Sequence, residues 1–163
     1  MIKKLILATA VGIFTSIASF AQFSHLGYGR LKLGIQKREV RDMVEMYKVT
    51  GRNTATIIYN GLEFDVVFQD YYELSVLQTI TAKKDDRYKV KGTDYSVIYY
   101  TLNDLENKLN LKLRYAKTDD NGCEVYEFYN DYESTRDKNR KCYFIFSKQG
   151  RLKSIQSVLL RVS

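Results

Sequence analysis

Histidine and cysteine are scarce in this chain, and their scarcity removes most metal and nucleophile chemistry at the outset. The 163 residues include one histidine, two cysteines and no tryptophan. The histidine, His25, lies near the start of the folded region, where chain ends are commonly disordered, a poor position for a catalytic base or a ligand. The cysteines, Cys123 and Cys142, are too far apart for a redox CxxC pair, and with one histidine a zinc site would need unusual ligands. No nucleophile elbow, phosphate loop or dinucleotide fingerprint occurs. Asp119-Asp120-Asn121-Gly122 lacks the alternating oxygen ligands and terminal Glu of a calcium loop, and reads as a turn. Runs of five or more like charges are also missing. The formal net charge of +7 would suit an anionic partner. Its interspersion with acidic residues instead reads as a solvated surface, and even the densest basic stretch, Arg136 to Lys141, contains Asp137. The expectation is no catalytic residue, no metal, no cofactor and no nucleic acid.

What is present begins with an address. Lys3 and Lys4 precede a nearly uncharged apolar run, Leu5 to Ile17, and Ser19-Phe20-Ala21 places small residues where a signal peptidase reads. Residues 1–21 are expected to be a signal peptide. The run is shorter than the roughly 20 residues that span a bilayer, so no integral membrane segment is expected after cleavage. No cysteine lies near the cleavage site to be lipidated. The expected location is periplasmic or secreted, and the remainder, 22–163, is one domain.

Within that domain one pattern recurs. Phe64 to Ile80 and Cys142 to Val158 overlay without a gap, with Phe68 on Phe146, Leu74 on Leu152, Gln78 on Gln156 and Ile80 on Val158. Each copy alternates inward residues (Phe64, Val66, Phe68; Cys142, Phe144, Phe146), turns, and alternates again. Val40, Met43, Val44 and Tyr47 recur at helical spacing over Gln36 to Lys48, with Ile35 and Val40 placed for a staple and Gly51 closing the helix. Asn60-Gly61 predicts a two-residue type I′ turn between strands Thr54–Tyr59 and Glu63–Gln69, and Leu74–Ala82 follows. In the second half, Thr101 and Asp104 predict the start of a short helix on Leu102, Leu105 and Leu109. Strands are expected at Cys123–Tyr129, Lys141–Ser147 and Leu152–Leu160. Leu111 to Tyr115 fits either a strand or a helix tail. The fold class expected is α+β: two tandem helix–β–β–β repeats, about 30–87 and 95–163, forming an antiparallel sheet with helices packed on one face.

Two residue types bear on function. Cys123 and Cys142 would form a disulfide in an oxidising compartment, or remain two buried thiols. Tyrosine is abundant, with 14 residues against 8 Phe. Tyr71, Tyr72, Tyr129, Tyr132 and Tyr143 fall on the strand face opposite the Phe-rich one or in loops. Tyrosine is enriched at contact surfaces, but it also covers a half-wet sheet without any partner.

The lead-in Leu33-Gly34-Ile35 with Glu39-Val40, and the strand–turn–strand spacings from Phe64 and Cys142, resemble the β-lactamase-inhibitor-protein-like group, to which the SmpA/BamE-type envelope proteins are similar. Gln36 departs from that pattern where a Ser or Thr cap would stand. The resemblance implies a curved sheet with one face free for a partner, and it implies no active site. The expected function is therefore a non-enzymatic exported module that binds an unidentified protein through a Tyr-rich sheet face. The alternatives are a small-ligand or glycan binder and a carboxylate-based hydrolase.

Overall fold

The computed structural model describes residues 21–90, 92–128 and 136–160. The expected signal peptide, apart from Ala21, lies outside them. The described chain opens with a small ribbon of β1 (Phe23–Ser24), β2 (Gly27–Tyr28) and β3 (Leu31–Lys32). Gly27 is required there. Its φ is +129°, and a Cβ would stand 2.1 Å from the Leu31 carbonyl oxygen. A short helix α1 (Lys37–Met43) follows, then a meander of four strands: β4 (Met46–Val49), β5 (Thr54–Tyr59), β6 (Leu62–Tyr71) and β7 (Leu74–Ala82). A two-stranded hairpin, β8 (Arg87–Val90) and β9 (Thr93–Ser96), leads to a π-helical turn, Asp104–Lys108. A second meander closes the order: β10 (Leu113–Thr118), β11 (Glu124–Phe128), β12 (Arg140–Phe146) and β13 (Leu152–Leu159).

The two meanders are joined edge to edge. β13 pairs with β7, giving one eight-stranded sheet in the order β10-β11-β12-β13-β7-β6-β5-β4, antiparallel at every step. This corrects the expected architecture of two helix–β–β–β repeats with helices layered on a face. Among the described residues strand predominates, and the two named helical segments span seven and five residues. The predicted helix over 36–48 stops at Met43. Val44 is already extended (φ −102°, ψ 149°), and the residues beyond it pair with β5 as β4. Pairing with β5 along one edge bonds backbone groups of Met46–Val49 that a lone helical turn would leave to water.

One face of the sheet is dry. Phe64, Val66 and Phe68 on β6, Leu77 and Ile80 on β7, Ile155 and Leu159 on β13, and Cys142, Phe144 and Phe146 on β12 are all buried. The N-terminal ribbon, α1, the β8–β9 hairpin and the π-helical turn cover that face, contributing Phe23, Tyr28, Leu31, Val40, Tyr88, Tyr95 and Leu105 to the same core. Tyrosine abundance has a plain use here. Tyr28, Tyr88 and Tyr95 are at most 2% exposed, and Tyr88 donates to the Glu63 carbonyl while accepting from the Lys83 amide, so its buried hydroxyl is satisfied. Burial pushes the Tyr28 hydroxyl up to about 12.

Local signals are met where the chain turns. Asn60 and Gly61 both have positive φ, +52° and +73°, as a type I′ turn demands. Thr101 and Asp104 bond reciprocally, Asp104 Oδ2 accepting from the Thr101 amide at 3.0 Å and Thr101 Oγ1 accepting from the Asp104 amide at 3.2 Å. The disulfide is not formed. Cys123 and Cys142 are buried and not bonded to each other, and the register explains why. Phe128 faces Cys142 across β11–β12, and Cys123 lies five residues further back on its own chain. At a rise of about 3.3 Å per residue that is about 16 Å, well beyond the roughly 7 Å that a disulfide can bridge.

Candidate functional site on the open sheet face

The second face of the sheet carries the outward residues of the same strands, and its register aligns them. Arg114 faces Glu127, Glu127 faces Tyr143, Tyr143 faces Gln156, and Gln156 faces Thr81. Thr81 faces Asp65, Asp65 faces Thr56, and Thr56 faces Lys48. A single row of polar side chains therefore crosses all eight strands. At about 4.8 Å per strand the row is about 34 Å long.

Three neighbouring pairs along the row, Arg114–Glu127, Gln156–Thr81 and Thr56–Asp65, are bonded. Arg114 Nη2 and Lys141 Nζ each lie 2.8 Å from the Glu127 carboxylate, Gln156 Nε2 donates to Thr81 Oγ1 at 2.9 Å, and Thr56 Oγ1 donates to Asp65 Oδ1 at 2.8 Å. Lys83 closes on Asp65 at 2.9 Å, and the Asp65 hydrogen bond, then its charge, raises the ammonium above its ordinary value. Glu127 is the buried ionisable member, 7% exposed. Burial pushes its carboxyl up, but the hydrogen bonds from Lys141 and Arg114 outweigh burial and leave it below the usual carboxylate range. Tyr143, beside it, is pushed up by its own burial and then by the Glu127 charge, so it remains a neutral donor.

The Glu127 shift has a measurable sign. A carboxylate depressed in the folded state contributes stability above its unfolded value, about 4.3, and loses that contribution as pH falls through the folded value. Urea unfolding of the native chain and of Glu127→Gln between pH 7 and pH 3 is the check. The native chain is expected to lose stability relative to the variant across the acid half of that range, and a constant difference between the two would remove the paired-carboxylate account.

Beside the row lies a cavity of about 490 Å³, lined by Lys117, Val125, Tyr143, Ile145, Gln156 and Val158 among others. Its rim is shaped by a bulge in β10, where the register shifts between Tyr115 and Lys117. Its lining is apolar in the main, with the Tyr143 ring, the Gln156 amide, one cation, Lys117, and one carboxylate, Asp119.

The tyrosines singled out from sequence do not form one patch. Tyr143 is half-buried on this face. Tyr71 and Tyr72 sit at the β6–β7 hairpin end, 40% and 91% exposed; Tyr71 is six residues along β6 from Asp65, about 20 Å from the row. Tyr129 and Tyr132 lie outside the described residues. The residues that sequence reasoning missed are Arg114, Glu127, Gln156, Thr81 and Asp65. Each was visible as the polar partner in an alternating strand, but alternation alone does not place residues from different strands in one row.

A family model described as RNase_H superfamily matches residues 19–146, most of the chain and every row residue except Gln156. No curated protein and no solved structure matches. The family match corrects the resemblance to the β-lactamase-inhibitor-protein-like and SmpA/BamE-type proteins. It also overturns the expectations of a non-enzymatic module, of a protein partner and of no nucleic acid, since RNase_H-type domains are typically nucleases or related hydrolases.

Proposed function

This chain belongs to the RNase_H superfamily, and on that premise we propose that it takes nucleic acid as its substrate, holding a single strand across the open sheet face. The observation that carries the reading is the polar row itself. It is continuous over eight strands, bears cations at both ends, and runs beside a cavity with an aromatic wall. Sequence-tolerant strand binding combines a basic track for phosphates with rings on which bases stack. Lys48, Lys83, Arg114, Lys117 and Lys141 supply the track, and Tyr143 supplies the ring. Glu127 and Asp65 hold Arg114, Lys141 and Lys83 in place, so those cations lose less freedom when a phosphate arrives.

Nucleases often work through two metal ions about 3.5–4 Å apart. Among the described residues no three His, Cys, Asp or Glu side chains are grouped to hold a metal ion. The two carboxylates of the row, Glu127 and Asp65, are four strand spacings apart, about 19 Å, and both are neutralised by cations. This donor set does not fit a two-metal centre, and no step is routed through one. Hydrolysis of the bound strand is supported by family membership alone.

Binding of fluorescein-labelled oligonucleotides of about four to fourteen nucleotides, followed by anisotropy, tests the reading. Affinity is expected to rise up to about ten nucleotides, the number that spans about 34 Å at 3.4 Å each, and then to level off. Affinity independent of length would sink a track of this size. Shortened products on a denaturing gel are the expected sign of hydrolysis.

A further inference from the structure

A second cavity lies away from the polar row, where β7 runs out at Ala82 and β13 begins at Leu152. It encloses about 450 Å³ and is lined by Lys84, Tyr99, Ser147, Arg151 and Lys153 over an apolar floor of Ile98 and Leu152. The volume falls within the range of small-molecule sites, which are apolar in the main with a few convergent polar groups. Three cations and no acid line it. Among the described residues none of the three cations is in an ion pair, and Lys153 Nζ has a single weak partner, Cys123 Sγ at 3.7 Å. Leaving three like charges together without a counterion costs repulsion, which an arriving anion relieves.

The walls are tied together by backbone bonds. The Leu152 amide donates to the Tyr100 carbonyl at 2.6 Å, the Ser147 amide donates to the Arg151 carbonyl at 2.8 Å, and Thr101 bridges Arg151. Lys84 lies just past the end of β7 and Lys153 near the start of β13, the strand that pairs with β7. Tyr99 stands at the mouth with 72% of its surface exposed, a large ring left in water beside a cluster of charge.

We propose that this pocket binds a phosphate monoester bearing an aromatic base: a mononucleotide, either free or as the phosphorylated end of a strand. The dianionic phosphate sits among Lys84, Arg151 and Lys153, with the Ser147 hydroxyl as a neutral donor. Arg151 supplies the planar fork that suits phosphate oxygens. The base lies against the Tyr99 ring over Ile98 and Leu152. The site is independent of the open face, since it shares none of the row's residues.

Calorimetric titration of the full chain with AMP, adenosine and inorganic phosphate is the experiment. AMP is expected to bind saturably, with adenosine at least about tenfold weaker because it carries no charge for the cations. Tyr99→Ala should weaken AMP about fivefold or more, the lower end of base–aromatic stacking, while leaving inorganic phosphate unchanged. Arg151→Ala and Lys153→Ala should weaken both. These side chains are exposed, so the variants should fold, and circular dichroism melting verifies it. Equal affinity for AMP and adenosine, absence of saturable AMP binding, or an Arg151→Ala/Lys153→Ala double variant with native AMP affinity would overturn the site. A 5′-phosphorylated and a 5′-hydroxyl tetranucleotide separate the two sources. A preference for the former that Arg151→Ala abolishes identifies a strand end, and a preference for AMP over both identifies the free nucleotide.

Discussion

Phe64→Ala is expected to cost about 3–5 kcal/mol in urea or guanidinium unfolding, a large part of the 5–15 kcal/mol that a domain of this size possesses. Phe64 is fully buried and its ring centre lies 4.9 Å from Tyr28, 5.2 Å from Tyr88 and 6.1 Å from Phe23. These rings belong to the large sheet, the N-terminal ribbon and the β8–β9 hairpin, three pieces that meet only on the core face. Truncation therefore opens a cavity at their junction and removes tilted and edge-on ring contacts together. The ribbon's other anchors include buried Leu31, the Arg30 amide donating to the Tyr59 hydroxyl at 3.3 Å, and the bond from Ser157 Oγ to the Ser24 carbonyl, 2.8 Å. Tyr72→Ala is the control. It removes a ring of the same size from a position 91% exposed, and it should shift stability by no more than about 0.5 kcal/mol. A Phe64→Ala loss below about 1 kcal/mol would mean that the three pieces hold together without this cluster.

Local features of the fold were legible because their causes are local. Asn60-Gly61 fixes a turn through φ alone, and Thr54–Tyr59 and Leu74–Ala82 form strands with the predicted bounds. Leu111 to Tyr115, which fits two periods equally, was decided by pairing: Leu113 to Thr118 form the outer strand on β11. Where tertiary pairing competes with a local period, the sequence misleads. Met43, Val44 and Tyr47 have helical spacing, yet β5 recruits Tyr47 into an edge strand. The β8–β9 hairpin was missed because Arg87–Val90 and Thr93–Ser96 are short and charged, with only Tyr88, Val90 and Tyr95 to signal an inward face. The polar row was illegible for a different reason. Its continuity depends on the β7–β13 pairing of residues some 75 positions apart, such as Thr81 and Gln156, and no short-range pattern reports that register.

Lys48→Ala combined with Lys117→Ala should lower affinity for a single strand of about ten nucleotides roughly 25-fold at about 0.1 M salt. The number follows from counterion release. Each phosphate contact to a single strand contributes about −0.7 to the slope of log K against log salt, which at 0.1 M is about fivefold per contact. Removing two contacts multiplies to about 25-fold and flattens the slope by about 1.4. These two cations suit the test because they stand on β4 and β10, the outer strands of the sheet, and both are exposed with no ion pair among the described residues. Removing them leaves no buried charge behind, whereas removing Lys141 would strip a partner from Glu127. Stability should therefore stay within about 0.5 kcal/mol of the native chain, so that lost affinity reports contact rather than unfolding. The geometry adds a sharper requirement. A strand of about four nucleotides covers less than half of the row and cannot touch both ends at once. The double variant should then bind that short strand no more than about fivefold more weakly than the native chain does. If affinity for the short and the long strand falls equally, or if the salt slope is unchanged, the two lysines do not lie on one continuous phosphate track.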